Sequence, residues 1–233
     1  SIEDLTGSEF ADVLRGDGGW NRLSGGGGND ILMGRGGSNI LDGGAGVDTV
    51  SYEGASVGVT VELGSGSGAH GSGDGFDTLI SIESAVGSSF ADTLVGDAGA
   101  NTLSGGAGND HLTGGLGRDT MTGGAGADVF DYDALTESLV GAGNRDIITD
   151  FQRGSDDIDL SAIDANTARG GNQDFRFVGT QQFRGREGEV RYQTFDQAGT
   201  AGDYTLVSVD VDGDRVADME IEIAGNVSLT SGD

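Results

Sequence analysis

The chain has 233 residues, of which 39 are acidic and 12 basic, giving a formal charge of −27. Self-repulsion of that size opposes compaction and argues against nucleic acid or an anionic membrane as the main partner, which leaves cations as the natural counterweight. The absence of Cys excludes disulfides and thiolate metal sites. No apolar run approaches the roughly 18 residues of a membrane span. Gly supplies 47 residues and loses more backbone entropy on folding than any other residue, so a chain without disulfides needs another staple, and bound ions are one. It opens at Ser1 without a basic-then-apolar signal segment and reads as a fragment, with more of the parent protein expected upstream.

From Gly7 the chain repeats a nine-residue unit five times, as 7–15, 16–24, 25–33, 34–42 and 43–51. The best copy, Gly25 to Met33 (GGGGNDILM), fits G-G-x-G-x-D-x-U-x with U a large apolar residue. A period this short specifies a solenoid whose units are each one turn and one short strand. Residues 52–86 break the period, yet Val57 to Leu63 (VGVTVEL) alternates as a half-buried strand does. Ser72 to Ile80 is a cryptic unit with Gly73, Gly75, Asp77 and Leu79 in register. This spacer is expected to continue the coil through irregular turns, with Gly64 to Gly71 as an exposed loop.

A second set of five units follows at 87–95, 96–104, 105–113, 114–122 and 123–131. Its flanks repeat those of the first at a distance of 80 residues: Glu3 matches Glu83, and Phe10-Ala11-Asp12 matches Phe90-Ala91-Asp92. Position 8 of the ten units reads Leu14, Leu23, Leu32, Leu41, Val50, Leu94, Leu103, Leu112, Met121 and Phe130, a core column. The register is expected to survive for two degenerate units, with Glu137 in 132–140 and Asp146 in 141–149 at the acidic position. Strand-like runs at Phe175–Val178, Glu189–Phe195, Tyr204–Asp212 and Met219–Ile223 suggest an antiparallel cap closing the solenoid. The domains are thus a first block at 1–51, a spacer at 52–86, a second block at 87–149 and a cap at 150–233.

The turns carry the chemistry. Two glycines per turn allow tight reversal and leave backbone carbonyls uncovered, and a carboxylate follows at position 6. An all-oxygen donor set suits Ca²⁺, which takes about six to eight oxygens; Zn²⁺ wants His or Cys, and Mg²⁺ prefers to keep its waters. Two units complete one coil, so units n and n+2 stack about 4.8 Å apart, and carboxylates at that spacing repel unless a cation separates them. In the first block Asp12, Asp30 and Asp48 share one face, with Asn21 and Asn39 opposite. In the second, Asp92, Asp110 and Asp128 share a face, with Asn101 and Asp119 opposite. Asn keeps the oxygen without the charge, which makes the Asn21/Asn39 site the weakest.

This pattern resembles the RTX calcium-binding repeats of bacterial type I secreted proteins, and residues 132–233 resemble the C-terminal domain of serralysin-type metalloproteases and the tails of mannuronan epimerases. The matching stretches are Arg145–Phe151 (RDIITDF), Asp157–Ile163 (DIDLSAI) and Gly225–Asp233 (GNVSLTSGD). The resemblance implies an all-β, right-handed parallel β-roll that binds several calcium ions. Each ion takes carbonyls from positions 2 and 4 and the carboxylate of one turn, plus carbonyls from positions 1 and 3 and the carboxylate of the next coil. Carried over, Gly26, Gly28 and Asp30 join Gly43, Ala45 and Asp48; Gly106, Gly108 and Asp110 join Gly123, Ala125 and Asp128; and Gly124, Gly126 and Asp128 join Gly141, Gly143 and Asp146. The same register makes candidates of Ser8, Phe10 and Asp12; of Asp17, Gly19 and Asn21; and of Gly25, Gly27, Gly34, Gly36 and Asn39. It adds Asp77, Asp92, Asp97, Gly99, Asn101, Gly105, Ala107, Gly114, Gly115, Leu116, Gly117, Asp119 and Glu137. Phe10 and Phe90 stand where Gly belongs, so their turns are expected to be distorted.

Other constellations are weaker. Asp210, Asp212, Asp214 and Asp218 (DVDGDRVAD) begin like a calcium loop, but Arg215 replaces the needed Gly and Ile221 the closing Glu; the bland reading is a solvated acidic hairpin. Arg169, Arg176, Arg184, Arg186 and Arg191 read as scattered surface charges rather than a glycan face, and Trp20 as surface packing. His70 and His111 have no sequence-level partners, and no H-E-x-x-H, G-x-S-x-G or P-loop occurs, so no enzyme is expected in the fragment. The favoured reading is a monomeric module that folds on calcium outside the cell, the C-terminal folding and secretion domain of a larger protein handled transiently by a type I secretion apparatus. The alternatives are an acidic-polysaccharide-binding module and an adhesin repeat of the parent protein.

Overall fold

The computed structural model describes residues 3–70, 75–166, 169–196 and 202–233; the calls on Ser1, Ile2 and Gly71 to Gly73 lie outside them. The described chain forms strands without helices, arranged in two sheets. Successive nonads alternate between the sheets. Strands Val13–Arg15, Ile31–Met33 and Thr49–Ser51 stack in parallel in one sheet, and Asp4–Thr6, Arg22–Gly27 and Ile40–Ala45 in the other. The parallel register places Leu14 beside Leu32, Leu32 beside Val50, and Leu23 beside Leu41. In the second block it places Leu94 beside Leu112, Leu112 beside Phe130, and Leu103 beside Met121.

The core is therefore the position-8 column seen from inside. Nine of its ten residues are fully buried, and Leu14, at the open N-terminal end, is 6% exposed. Burying one such side chain stabilises by roughly 1.5–3 kcal/mol, so the column is the main apolar term holding the two sheets together. Phe130 packs at 6.2 Å from Phe151, which continues the column toward the cap.

The spacer is more ordered than the sequence suggests. Phe76–Ile80 stacks on Ile40–Ala45 with Leu79 beside Leu41, as the cryptic register requires. Val59–Glu62 instead lies beside Thr93–Val95 of the next block. Between them Ser67–His70, within the stretch expected to be a loop, pairs antiparallel with both neighbours. The reason is edge satisfaction: without it, the backbone donors of two facing strands would be left open. The opposite sheet has no such insertion, and Thr49–Ser51 pairs directly with Ser84–Val86.

At the C-terminal end Asp146–Ile148 stacks on Thr120–Ala125, and Asp157–Asp159 on Val129–Asp131. Met219–Ala224 then pairs in parallel with Asp146–Ile148 and antiparallel with Tyr204–Asp210, which in turn pairs antiparallel with Glu189–Phe195. Arg176–Gly179 adds a parallel outermost strand. The cap is thus an extension of one sheet of the roll, fastened by a buried Arg145 that pairs with Glu222 at 2.6 Å.

Candidate metal sites

Each turn is built so that its acidic side chain reaches the turn of the next coil. One oxygen, Oδ1, accepts a hydrogen bond from the position-6 backbone N–H of the coil before it: Asp12 N–H to Asp30, and Asp30 N–H to Asp48, both at 2.8 Å. The same ladder runs Asp92 to Asp110 and Asp110 to Asp128, at 2.8 and 2.9 Å. The second oxygen behaves differently. Oδ2 of Asp30, Asp48, Asp110, Asp119, Asp128 and Asp146 is buried without any hydrogen-bond partner. A buried carboxylate oxygen left so is costly unless something positive meets it.

The carbonyls converge on the same spaces. Gly44 and Gly46 hold positive φ, and a Cβ on either would lie 2.2 Å from the Gly26 oxygen or 1.8 Å from the Gly28 oxygen. A Cβ on Gly25 would lie 2.1 Å from Asp30 Oδ2 and 2.5 Å from the Gly43 oxygen. The second block repeats this: Gly124 and Gly126 face the carbonyls of Gly106 and Gly108, and Gly105 faces Asp110 Oδ2 and the Gly123 oxygen. On the other edge Gly115 and Gly117 face the carbonyls of Asp97 and Gly99, and Gly96 faces the Gly114 oxygen and Asn101. Glycine is required here because any side chain would fill a cradle of hard oxygens. Those donors, with the orphaned Oδ2 atoms among them, fit Ca²⁺.

Burial raises the carboxyl pKa values. Asp110 is pushed up to about 6, mainly by desolvation and then by Asp92 and Asp128. Asp119 rises to about 7 by desolvation, with Asp97 and Glu137 adding repulsion. Asp146 rises to about 8 by desolvation, with Asp119 and Glu137 adding to it. Each shift records the cost of holding a negative charge in a buried place without a counterion, which favours the protonated form.

The first unit of each block differs. Ser8 N–H and Oγ both donate to Asp12 Oδ2, at 2.6 and 2.8 Å. Ser88 N–H donates to Asp92 Oδ2 at 2.5 Å, and its hydroxyl to Oδ1 at 2.8 Å. These serine hydrogen bonds hold the Asp12 carboxyl below its ordinary value. The turns with Phe10 and Phe90 are closed by a serine at position 2. That substitution, visible in the sequence, is the signal that their carboxylates are already partnered.

The Asn edge is also closed from within. Asn21 Oδ1 accepts from Asp17 N–H and Asn39 Oδ1 from Asn21 N–H. Asn39 Nδ2 donates to Asp77 Oδ1 at 2.8 Å, and Tyr52 donates to Asp77 Oδ2 at 3.0 Å. Asp77, Asn39 and Asn21 therefore form one hydrogen-bonded run, with no orphaned oxygen among them.

One expected group is corrected. Asp128 N–H donates to Asp156, and Asp119 N–H to Asp146. Gly124, Gly126 and Asp128 therefore do not face Gly141, Gly143 and Asp146. Residues 132–140 form no strand, so 123–131 is followed by a single pass, and Asp146 falls on the opposite edge. The Gly124 and Gly126 carbonyls are taken instead by Gln152 Nε2 at 2.7 Å and Ser155 Oγ at 2.6 Å. Gly141 N–H binds Glu220, and Gly143 stands in the open. Glu137 faces Asp119 and Asp146 across the irregular turn. Gln152 and Ser155 escaped the sequence reading because their stretch lacks the glycine signature.

Asp210, Asp212 and Asp218 do gather, with ligand atoms within 4.8 Å of one another. Their oxygens are occupied by the loop itself: Gly213 and Arg215 N–H donate to Asp210, Asp214 N–H to Asp212, and Val211 N–H to Asp218. His111 lies 3.4 Å from Asp131, a surface pair.

The RTX calcium-binding nonapeptide repeat (4 copies) matches residues 2–32. A solution structure of the AlgE6R3 subunit from the Azotobacter vinelandii mannuronan C5-epimerase is similar at 21% identity, over 94% of this chain and 74% of that one, with a TM-score of 0.33. No curated protein matches the chain significantly. The family description Peptidase M10 serralysin C terminal matches residues 39–233, and the chain belongs to that family, with RTX calcium-binding repeats at its front.

Proposed function

We propose that this chain is a non-catalytic module whose folding is driven by several calcium ions lodged between successive turns, and that it forms the terminal folding and secretion part of a larger type I secreted protein. The observation that carries the reading is the set of six buried Asp Oδ2 atoms without partners, of which those of Asp30, Asp48 and Asp110 lie beside the carbonyls of Gly43, Ser81 and Gly123. Gly26, Gly28 and Asp30 with Gly43, Ala45 and Asp48 would hold one ion. Gly106, Gly108 and Asp110 with Gly123, Ala125 and Asp128 would hold another. On the second edge Asp97, Gly99 and Asn101 with Gly114, Leu116 and Asp119 would hold a third. Asp119, Glu137 and Asp146 offer an irregular fourth position. Bound Ca²⁺ supplies charge neutralisation; the chain supplies a pre-shaped set of oxygens.

Binding free energy then becomes folding free energy. Where calcium is scarce, a polyanion with 47 glycines has little drive to close. Outside the cell, where calcium is plentiful, the turns neutralise and the coil forms. Circular dichroism in EGTA and in millimolar calcium tests this, with β content expected to collapse in EGTA. Equal β content in the two conditions would overturn the proposal.

A further inference from the structure

The two sheets of the roll differ in reach. One ends at Asp157–Asp159, whereas the other runs on through Met219–Ala224, Tyr204–Asp210, Glu189–Phe195 and Arg176–Gly179. A sheet face is normally buried by a second layer. Here the extension has no opposing strands, and loop residues such as Ile163 and Leu229 cover its apolar side instead. A cavity of about 270 Å³ remains, walled by Leu160, Ile163, Phe177, Val190, Val207 and Leu229. Protein interiors keep few voids larger than a water, and an apolar cavity of about 150 Å³ already admits benzene.

The walls are fixed. Phe177 stands beside Val190 in register and stacks on Tyr192 at 6.0 Å. The polar groups around the cavity mostly have partners within the chain. The Thr230 hydroxyl donates to Asp233 at 2.7 Å, and the Asn172 amide donates to the Ser161 carbonyl at 2.6 Å. Gln173 is different. Its backbone N–H donates to Asp164 and its Nε2 to the Gly171 carbonyl at 2.8 Å, which sets the orientation of the amide. Oε1 is then left buried without a donor, the one such side-chain atom among the described residues lining the cavity. A buried acceptor of this kind is satisfied by a donor from outside the chain.

The charge around the cavity narrows the ligand further. Asp174 and Asp233 both border it; Arg153 lies 4.0 Å from Asp233, and Asp174 has no ion pair among the described residues. In a chain of charge −27 this setting disfavours an anion.

We infer that this cavity binds a neutral amphiphile with a medium-length alkyl chain and a single hydroxyl or amide N–H. The alkyl chain lies against the apolar walls, and the head donates to Gln173 Oε1. A fatty-acid anion would meet Asp174 and Asp233, and an ether of the same length would leave Oε1 without its donor.

The test is calorimetric titration of the calcium-saturated chain with 1-octanol, octyl methyl ether and octanoate. Saturable binding of 1-octanol is expected, about fivefold or more tighter than that of the ether, with octanoate weaker than both. Val207→Phe fills the cavity and should abolish binding of all three. Gln173→Leu should still bind the ether and should bring 1-octanol down to the same affinity; it keeps the test open if Val207→Phe fails to fold. Absent binding of 1-octanol, equal affinity for the three compounds, or a preference for 1-octanol that survives in Gln173→Leu would each overturn the inference. So would a calcium-saturated dimer that Val207→Phe converts to monomer, because a second copy would then occupy the cavity. Circular dichroism reads calcium-driven folding before any ligand is added, so failure here and failure of the calcium proposal are distinguishable.

Discussion

The two repeat blocks follow the same nonad pattern, yet their acidic columns lie on opposite edges of the roll. Asp12, Asp30 and Asp48 precede strands of one sheet; Asp92, Asp110 and Asp128 precede strands of the other. The cause is parity. Five nonads plus the passes at Phe76–Ile80 and Ser84–Val86 make an odd number of strands, so equivalent positions change sides. The column of the first block therefore continues through Glu83, whose carboxylate accepts from Asp48 N–H, to Asn101, Asp119 and Asp146. The second block has carboxylates on both edges, whereas the first has one charged edge and one hydrogen-bonded Asn edge. Repetition in sequence thus sets the chemistry of a turn, and strand count sets its neighbours.

The largest way to expose this difference is pH. In the calcium-free fold Asp110, Asp119 and Asp146 hold their protons up to about 6, 7 and 8, all in or beside the second block. A carboxyl pKa raised on folding contributes stability that is complete below the ordinary value and lost as pH rises through the folded one. Asp48, Asp128 and Glu137 are shifted in the same direction, and Asp12 and Asp233 in the other. In EGTA, β content should therefore be greater near pH 5 than near pH 8, and calcium should bind more weakly as pH falls across that window. A calcium-free chain whose β content is indifferent to pH would break the comparison.

Next in size is the contrast within the second block. Asp110→Asn removes a charge whose Oδ2 has no protein partner, whereas Asp92→Asn acts on a carboxylate that Ser88 already holds. The calcium midpoint should shift several-fold more in the first variant, as read by circular dichroism titration. The reverse order would show that Ser88 does not close its turn.

The smallest expected effect is at the Asn edge. Asn39→Asp would set a carboxylate against Asp77, where an amide now donates at 2.8 Å. At limiting calcium the variant should lose about 1–3 kcal/mol, the cost of a broken buried hydrogen bond, and its folding should depend more steeply on calcium. Chemical denaturation at limiting and at saturating calcium measures both. An unchanged calcium dependence would mean that carbonyls rather than side-chain charge set affinity on that edge.

Most of the roll could be read from residues alone, because its period is local. The Leu14-to-Phe130 column, the nonad turns and the cap strands at Glu189–Phe195 and Met219–Ala224 all follow from alternation and glycine spacing. What escaped was pairing across irregular segments. Nothing local in residues 132–145 says that they make one pass rather than two, and that single count moved Asp146 from Asp128 to Asp119. Ser67–His70 is a strand only because two facing edges require one. Asp156 replaces Asp146 as the partner of Asp128 through a loop whose sequence does not look like a repeat.

The ladder of Oδ1 contacts has a direction. Each position-6 amide is satisfied by the coil that follows it in sequence, never by the one before. A turn is therefore complete only when its successor is in place, and the series terminates at Asp146, whose amide is held by Ser138, and at Asp156. The next amide along faces the other way: Ile31 N–H donates to the Asp12 carbonyl, and Thr49 N–H to that of Asp30. Each coil is thus held to its successor through a carboxylate and to its predecessor through a carbonyl, and only the carboxylate half of that linkage is open to a change of charge.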